Sequence, residues 1–321
     1  MQRSIEAGTL RQARQAAPWA AALAVVAGLC FFFPYSTGYG DRRVSMFSML
    51  WAQWMHSPDG EWQHGVLVPF IALFLAWRER TRLFGTALRP ANGGLAVLVF
   101  ALLSYYLGYA TDLSYFGYAG LQLLIAGIVV WFAGWAALRV VLFPWLFLVF
   151  MYPLPFLDDM IATPLRRVMA QSAHLVLLLL GVDNVRSGTA LVSTPNFLLG
   201  IPAGSRFAID VADPCSGIRS LFALLMISAL YGWFTLRQPW QRWVLFAAAV
   251  PLALAGNVCR LVMLTFGTIW WGAGFAVGTL DHPTWFHLGA GYFVFAVALG
   301  GMVGVCRLLE KRDLRAAGSP A

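Results

Sequence analysis

Long apolar stretches alternate along this chain with short polar breaks. Mostly apolar runs lie near 17–35, 65–77, 94–111, 115–134, 138–155, 217–235, 243–272 and 287–306. A hydrocarbon core about 30 Å thick takes about 20 such residues per helix, so the pattern predicts an all-α polytopic membrane protein of about eight transmembrane helices. The first run is followed by "PYSTGYGDRR" with no small-x-small cleavage site in a sensible place, and reads as an anchor rather than a removed leader.

One segment breaks the rhythm. In "RRVMAQSAHLVLLLLGV", residues 166–182, Arg166, Arg167, Gln171, Ser172 and His174 crowd the first half and leave an apolar tail too short to cross. An amphipathic helix at the outer interface fits it better than a ninth span. The stretch 187–213 is rich in β-branched residues and punctuated by Gly and Pro. Within it, the alternation beginning at Arg206 predicts a short strand. A small extracytoplasmic β/amphipathic element therefore precedes the span that starts near residue 217. No repeat or linker is visible, so residues 1–321 read as one integral membrane domain with tails at 1–16 and 307–321.

Composition sharpens this. Of 321 residues 60% are hydrophobic and only 11% charged, against roughly 25% charged in soluble domains. The net charge of +8 reads as topology rather than as a nucleic-acid footprint. With the N-terminus inside, the cytoplasmic segments take Arg3, Arg11, Arg14, Arg78, Arg80, Arg82, Arg89, Arg139, Arg237, Arg242, Arg307, Lys311, Arg312 and Arg315, fourteen of the 22 basic residues. That bias predicts cytoplasmic termini. No P-loop, HExxH stretch or zinc-type cysteine spacing is present, so no cofactor, metal or nucleic-acid partner is expected beside the lipid bilayer.

Candidate chemistry collects at the outer ends of three spans. In "ADPCSGIRSL", Asp213 suits an N-cap and Pro214 a first helical position, which puts Cys215 in the first helical turn. There the helix dipole favours the thiolate, while Asp213 opposes it. Gly217 permits close approach, and Arg219 lies one turn below, able to stabilise the thiolate or to pair with Asp210 or Asp213. Arg260 sits in the middle of an apolar run, where a lipid-facing arginine costs at least ~2.5–3.5 kcal/mol. Counted from Trp243, the helical rise places it roughly 26 Å across the membrane. His287, with His282 as an equally placed rival, stands where the last outer loop meets the last span. A thiol, a guanidinium and an imidazole at one depth are the ingredients of thiol acyl transfer. Each also has a plainer reading: a packing cysteine, a helix-pairing charge, a capping histidine. Cys259 reads as packing, and Gly300 with Gly304 as a weak close-contact signal.

These stretches resemble a family. "DPCSGIRSL" resembles the cysteine motif of the exosortases, "GNVCRL" their Asn-x-x-Arg motif, "HLGAGYFVF" their His-containing final helix, and "QHGVLVPFIALFLAW" an early His-Gly stretch. The resemblance covers about residues 50–305. It implies a membrane cysteine transpeptidase or protease of the inner membrane, its site facing the periplasm. The implied substrates are secreted, membrane-anchored proteins with a C-terminal Pro-Glu-Pro (PEP-CTERM) signal, often in bacteria that make exopolysaccharide. The family's catalytic Cys, Arg and His fall on Cys215, Arg260 and His287. Arg219, Asn257, Ser216, Gly217, His64 and Asp213 are then candidates for supporting or substrate-contacting roles. The "DPC" context departs from the small residues expected before the cysteine, which points to a subfamily with its own signal. The rivals are a transporter in which Arg260, Arg219 and Asp210 bind an anion, and a scaffold for polysaccharide export without chemistry.

Overall fold

The computed structural model describes residues 17–37, 41–56, 62–154, 160–161, 163–198, 200–210, 218–279 and 282–317. The side chains of 218, 219 and 313–317 lie outside the description. The chain forms two compact units, Met1–Leu154 and Pro155–Ala321.

In the first unit, α1 (Ala17–Phe32) ends in a π-turn at Gly28–Phe32. β1 (Pro34–Ser36) then pairs antiparallel with β2 (Val44–Ser45). Next come α2 (Met46–His56), α3 (Val68–Arg78, entered through a 3-10 turn at Gln63–Val66) and α4 (Arg80–Gly85). The long pair α5 (Gly93–Thr111) and α6 (Ser114–Ala133) follows. α7 (Trp135–Val140), α8 (Leu142–Phe147) and a 3-10 turn at Leu148–Met151 complete the unit. The sequence pattern predicts one span over 138–155, where the structure has two short helices and a 3-10 turn. Pro144 has no N–H for the Val140 carbonyl and its ring crowds that turn, so the helix breaks at Val141. The α2 helix has no counterpart among the expected spans.

α5 and α6 form an antiparallel hairpin. An added Cβ at Gly120 would lie 2.8 Å from the Tyr105 backbone nitrogen, and one at Gly94 would lie 2.4 Å from that of Trp131. Asp112 turns the chain between the helices with φ +58. Its carboxylate accepts the Thr37 backbone N–H at 3.0 Å and the Thr37 hydroxyl. These donors, the hydroxyl foremost, hold the Asp112 carboxyl below the usual aspartate value. Around this corner Tyr35, Met46, Leu50, Tyr105 and Tyr118 make a buried cluster.

The second unit opens on α9 (Thr163–Leu179), followed by β3 (Asn184–Ser187), β4 (Ala190–Ser193) and β5 (Ala208–Asp210) in an antiparallel sheet of that order. The expected amphipathic helix and strand are both present. α9 buries Met169, Ala170, Ala173 and Leu177 along one face, and in β5 only Ile209 is buried. His174 Nδ1 lies 2.7 Å from Asn184 Oδ1, tying helix to sheet. Three more long elements and a short one follow: α10 (Ile218–Thr235), α11 (Pro239–Trp271), α12 (Ala273–Ala276) and α13 (Trp285–Ala317). α11 runs unbroken past Pro251 and α13 carries the basic tail as helix, both longer than the apolar runs suggest.

Among the described residues four helices are long and apolar enough to cross a membrane: α5, α6, α11 and the Trp285–Arg312 part of α13. Four shorter apolar helices, Ala17–Phe32, Gln63–Arg78, Leu142–Met151 and Ser220–Thr235, fall where the other expected spans lie.

The second unit has two apolar cores, and α11 and α13 serve both. One core joins Leu221 and Leu224 of α10 to Leu245, Ala249 and Ala253 of α11 and to Ala298 and Met302 of α13. The other joins α9 and the sheet to Leu261 and Leu264 of α11 and Ala290 of α13. Antiparallel approach of α11 and α13 rests on small residues. A Cβ at Gly256 would meet Val294 at 2.7 Å, and one at Gly301 would meet Leu252 at 2.8 Å. The expected contact at Gly300 and Gly304 is not there: both face open space, and Gly301 makes the approach instead.

Candidate functional site

Between the two cores runs a polar layer. On α11, Asn257 and Arg260 are three residues apart and share a face, between Ala253 of one core and Leu261 of the other. Asn257 is buried. Its amide donates to the Ala253 carbonyl at 3.1 Å and to Ser220 Oγ of α10 at 3.3 Å. Arg260 lies against α13, where a Cβ on Gly291 would stand 3.2 Å from its Cζ and 3.3 Å from Nη2. A glycine at 291 is thus what lets the guanidinium rest on the helix backbone. Arg260 Nε is buried and has no hydrogen-bond partner among the described residues.

His287 sits one turn before Gly291 on α13, 1% exposed and close enough to Arg260 for their charges to interact. Its position is set by a cap. Thr284 Oγ1 accepts the His287 backbone N–H at 3.1 Å and donates to the Ala276 carbonyl of α12 at 3.2 Å, fastening the start of α13 to the preceding turn. The rival, His282, is exposed in the loop. There its carbonyl lies 2.5 Å from where a Cβ on Gly278, at φ +81, would stand. Geometry therefore separates two equally placed histidines by burial, His287 inside and His282 exposed.

A small cavity of about 30 Å³ opens where α10, α11 and α13 meet, lined by Ser220, Asn257, Arg260, Gly291, Leu224 and Val294 among others. This is room for about one water beside polar partners. A guanidinium, an amide and a hydroxyl facing such a space can receive an anionic oxygen.

Of the residues expected at the site, Arg260, Asn257 and His287 come together in this layer. Cys215, Ser216, Gly217 and Asp213 lie outside the described residues, as does the side chain of Arg219. Asp210 accepts the Thr189 hydroxyl at 2.8 Å on the sheet. His64 belongs to the first unit, its ring 6.0 Å from that of Trp62. Cys259, expected to pack, is instead exposed, on a face turned away from its neighbour Arg260. Three contributors carry no chemistry that a motif reading would single out: Ser220, Gly291 and Thr284. Only Thr284 leaves a trace, as a hydroxyl residue just before an apolar run.

A family model described as Transmembrane exosortase (Exosortase_EpsH) matches residues 51–304, most of the chain. No curated protein and no solved structure matches it.

Proposed function

Because the chain belongs to the transmembrane exosortase family, we propose that it is a membrane cysteine transpeptidase or peptidase. Its substrates are secreted proteins with a C-terminal signal of the Pro-Glu-Pro kind, a membrane helix and a basic tail. The observation that carries this reading is the convergence of Arg260, Asn257 and His287 at one level of α11 and α13, tied through Ser220 to the first turn of α10. In the sequence Cys215 precedes Ser220 by five residues.

In the reaction, the Cys215 thiolate attacks the scissile carbonyl carbon, and the charge that develops on its oxygen is met by the Arg260 guanidinium. His287 supplies the proton with which the amine departs, leaving a thioester. An acceptor amine or water then attacks that thioester, and the sulfur leaves as the thiol. Asn257 holds Ser220 and the facing backbone in register. Substrate and enzyme share one bilayer, which raises their effective concentration for each other. In this reading the chain crosses the inner membrane eight times as one domain, with the site on the periplasmic side.

The test is co-expression with a signal-bearing substrate. Cys215→Ser should abolish processing, whereas a transporter or an export scaffold would tolerate the change; intact processing refutes the assignment. His287→Ala should be far worse than His282→Ala, and equal losses would undo the choice between them.

A further inference from the structure

The end of the second unit beyond the polar layer carries a dense exposed aromatic surface. Trp270 is 64% exposed, Trp271 57%, Phe275 52% and Trp285 90%. The rings brace one another: Trp270 and Trp271 lie 5.5 Å apart, Trp271 and Phe275 5.6 Å, and Phe275 and the inner Phe286 5.6 Å. Water is a poor solvent for such a surface, and exposed apolar patches of this kind mark an interaction site.

The other end of the same helices shows what covers it. There Trp243 of α11 is also strongly exposed. Arg312 lies over the Trp240 ring at 5.5 Å and Arg242 over that of Trp233 at 4.4 Å. That is the mixture of tryptophan and arginine found where helices leave a bilayer on the cytoplasmic side. From Trp243 to Trp270 the helical rise is roughly 40 Å, and a bilayer with its headgroups is about 40–45 Å thick. No Lys or Arg occurs between Arg260 and Trp285, so this stretch of α11, α12 and the turn into α13 carries aromatics without cations.

We propose that Trp270, Trp271, Phe275 and Trp285 form an interfacial anchor seated among the outer-leaflet headgroups, with α11 spanning the bilayer from headgroup to headgroup. Arg260 lies ten residues short of Trp270, about 15 Å along the helix, and is thereby sunk below the outer surface. This rests on the reading of the chain as a membrane protein but not on its peptide chemistry. If that chemistry holds, the scissile bond must be delivered beneath the headgroups, and a segment able to unwind there is the substrate the site accepts.

The experiment is a spin-label depth measurement on the full chain in phosphatidylethanolamine–phosphatidylglycerol vesicles, its native cysteines replaced by serine or alanine. Single cysteines at Phe275 and Trp285 are compared with lipid-facing Val297 of α13 and with exposed Arg186 of the sheet. Oxygen against nickel-chelate collision rates should put Phe275 and Trp285 at an intermediate depth. Rates equal to those at Arg186 would show an aqueous surface open to a protein partner, and rates equal to those at Val297 would show burial in hydrocarbon; either overturns the proposal. As a second readout, p-benzoylphenylalanine at Trp285 in the chain with its native cysteines should photo-crosslink to phospholipid. Absence of lipid adducts counts against the anchor. Neither measurement reads catalysis, so failure of the peptide reaction and failure of the anchor are separable.

Discussion

Two helix pairs, α5 with α6 in the first unit and α11 with α13 in the second, are built by the same device and used differently. Both bring antiparallel helices together over glycines that a methyl group would force apart. Around α5 and α6 the polar groups are closed on themselves. The Ser104 hydroxyl donates to the Phe116 carbonyl, the Tyr105 hydroxyl to the Leu29 carbonyl, and Gln122 and Trp145 exchange hydrogen bonds with each other's backbone carbonyls. Between α11 and α13 the polar layer is left open, with a buried guanidinium nitrogen without a hydrogen-bond partner among the described residues beside a water-sized cavity. A satisfied polar network stiffens a fold, while an unpartnered buried polar atom costs free energy until a partner reaches it. In the proposed reaction the comparison separates a structural use of buried polarity from a chemical one.

Arg260→Met breaks it most sharply. In the proposed reaction this removes the charge that meets the developing oxyanion, so processing should fall about 10²–10³-fold. The apolar replacement of similar length fills the same space, so the melting temperature in detergent should stay level or rise. A large loss of stability would mean that the guanidinium is structural.

Glycine substitutions give the next largest contrast. At Gly120 a methyl meets backbone, which cannot yield, so Gly120→Ala should cost about 1–3 kcal/mol in thermal or denaturant unfolding. At Gly291 it meets the end of a flexible side chain, so Gly291→Ala should leave stability near wild type. By pushing the guanidinium aside it should slow processing about 10-fold. The same substitution thus reads as folding in one pair and as function in the other.

The smallest effect concerns acid. The folded Asp112 carboxyl is held below its unfolded value by the Thr37 donors. Its contribution is therefore complete above the unfolded pKa and is lost as pH falls through the folded one. Asp112→Asn should lower the neutral plateau slightly, by the increment that the paired carboxylate supplies there, and flatten the acid limb of the stability profile. Unchanged acid sensitivity would show that the corner contributes nothing there.

The apolar runs foretold where the helices lie because hydropathy is a local property. They did not foretell the break at Val141, which comes from the steric demand of Pro144, nor that α11 would pass Pro251 unbroken. The amphipathic helix and the small sheet were legible from the crowded polar half of α9 and from β-branched alternation. Arg260 and His287 stood out because charge and imidazole are conspicuous in apolar surroundings. Gly291, Ser220 and Thr284 were silent because what each does, yielding space, accepting one bond or capping one turn, has meaning only once a second helix is in place. The family resemblance favours His287 over His282, and the folded chain adds that the first is buried and the second exposed.

The two cores of the second unit have α11 and α13 in common. Undocking α9 and the sheet would strip apolar cover from Leu261, Leu264 and Ala290 of the shared helices, so the two cores should unfold as one cooperative unit. The small sheet and α9 should then be as long-lived as the bundle that supports them, and amide protons of α11 on either side of Arg260 should exchange at matched rates.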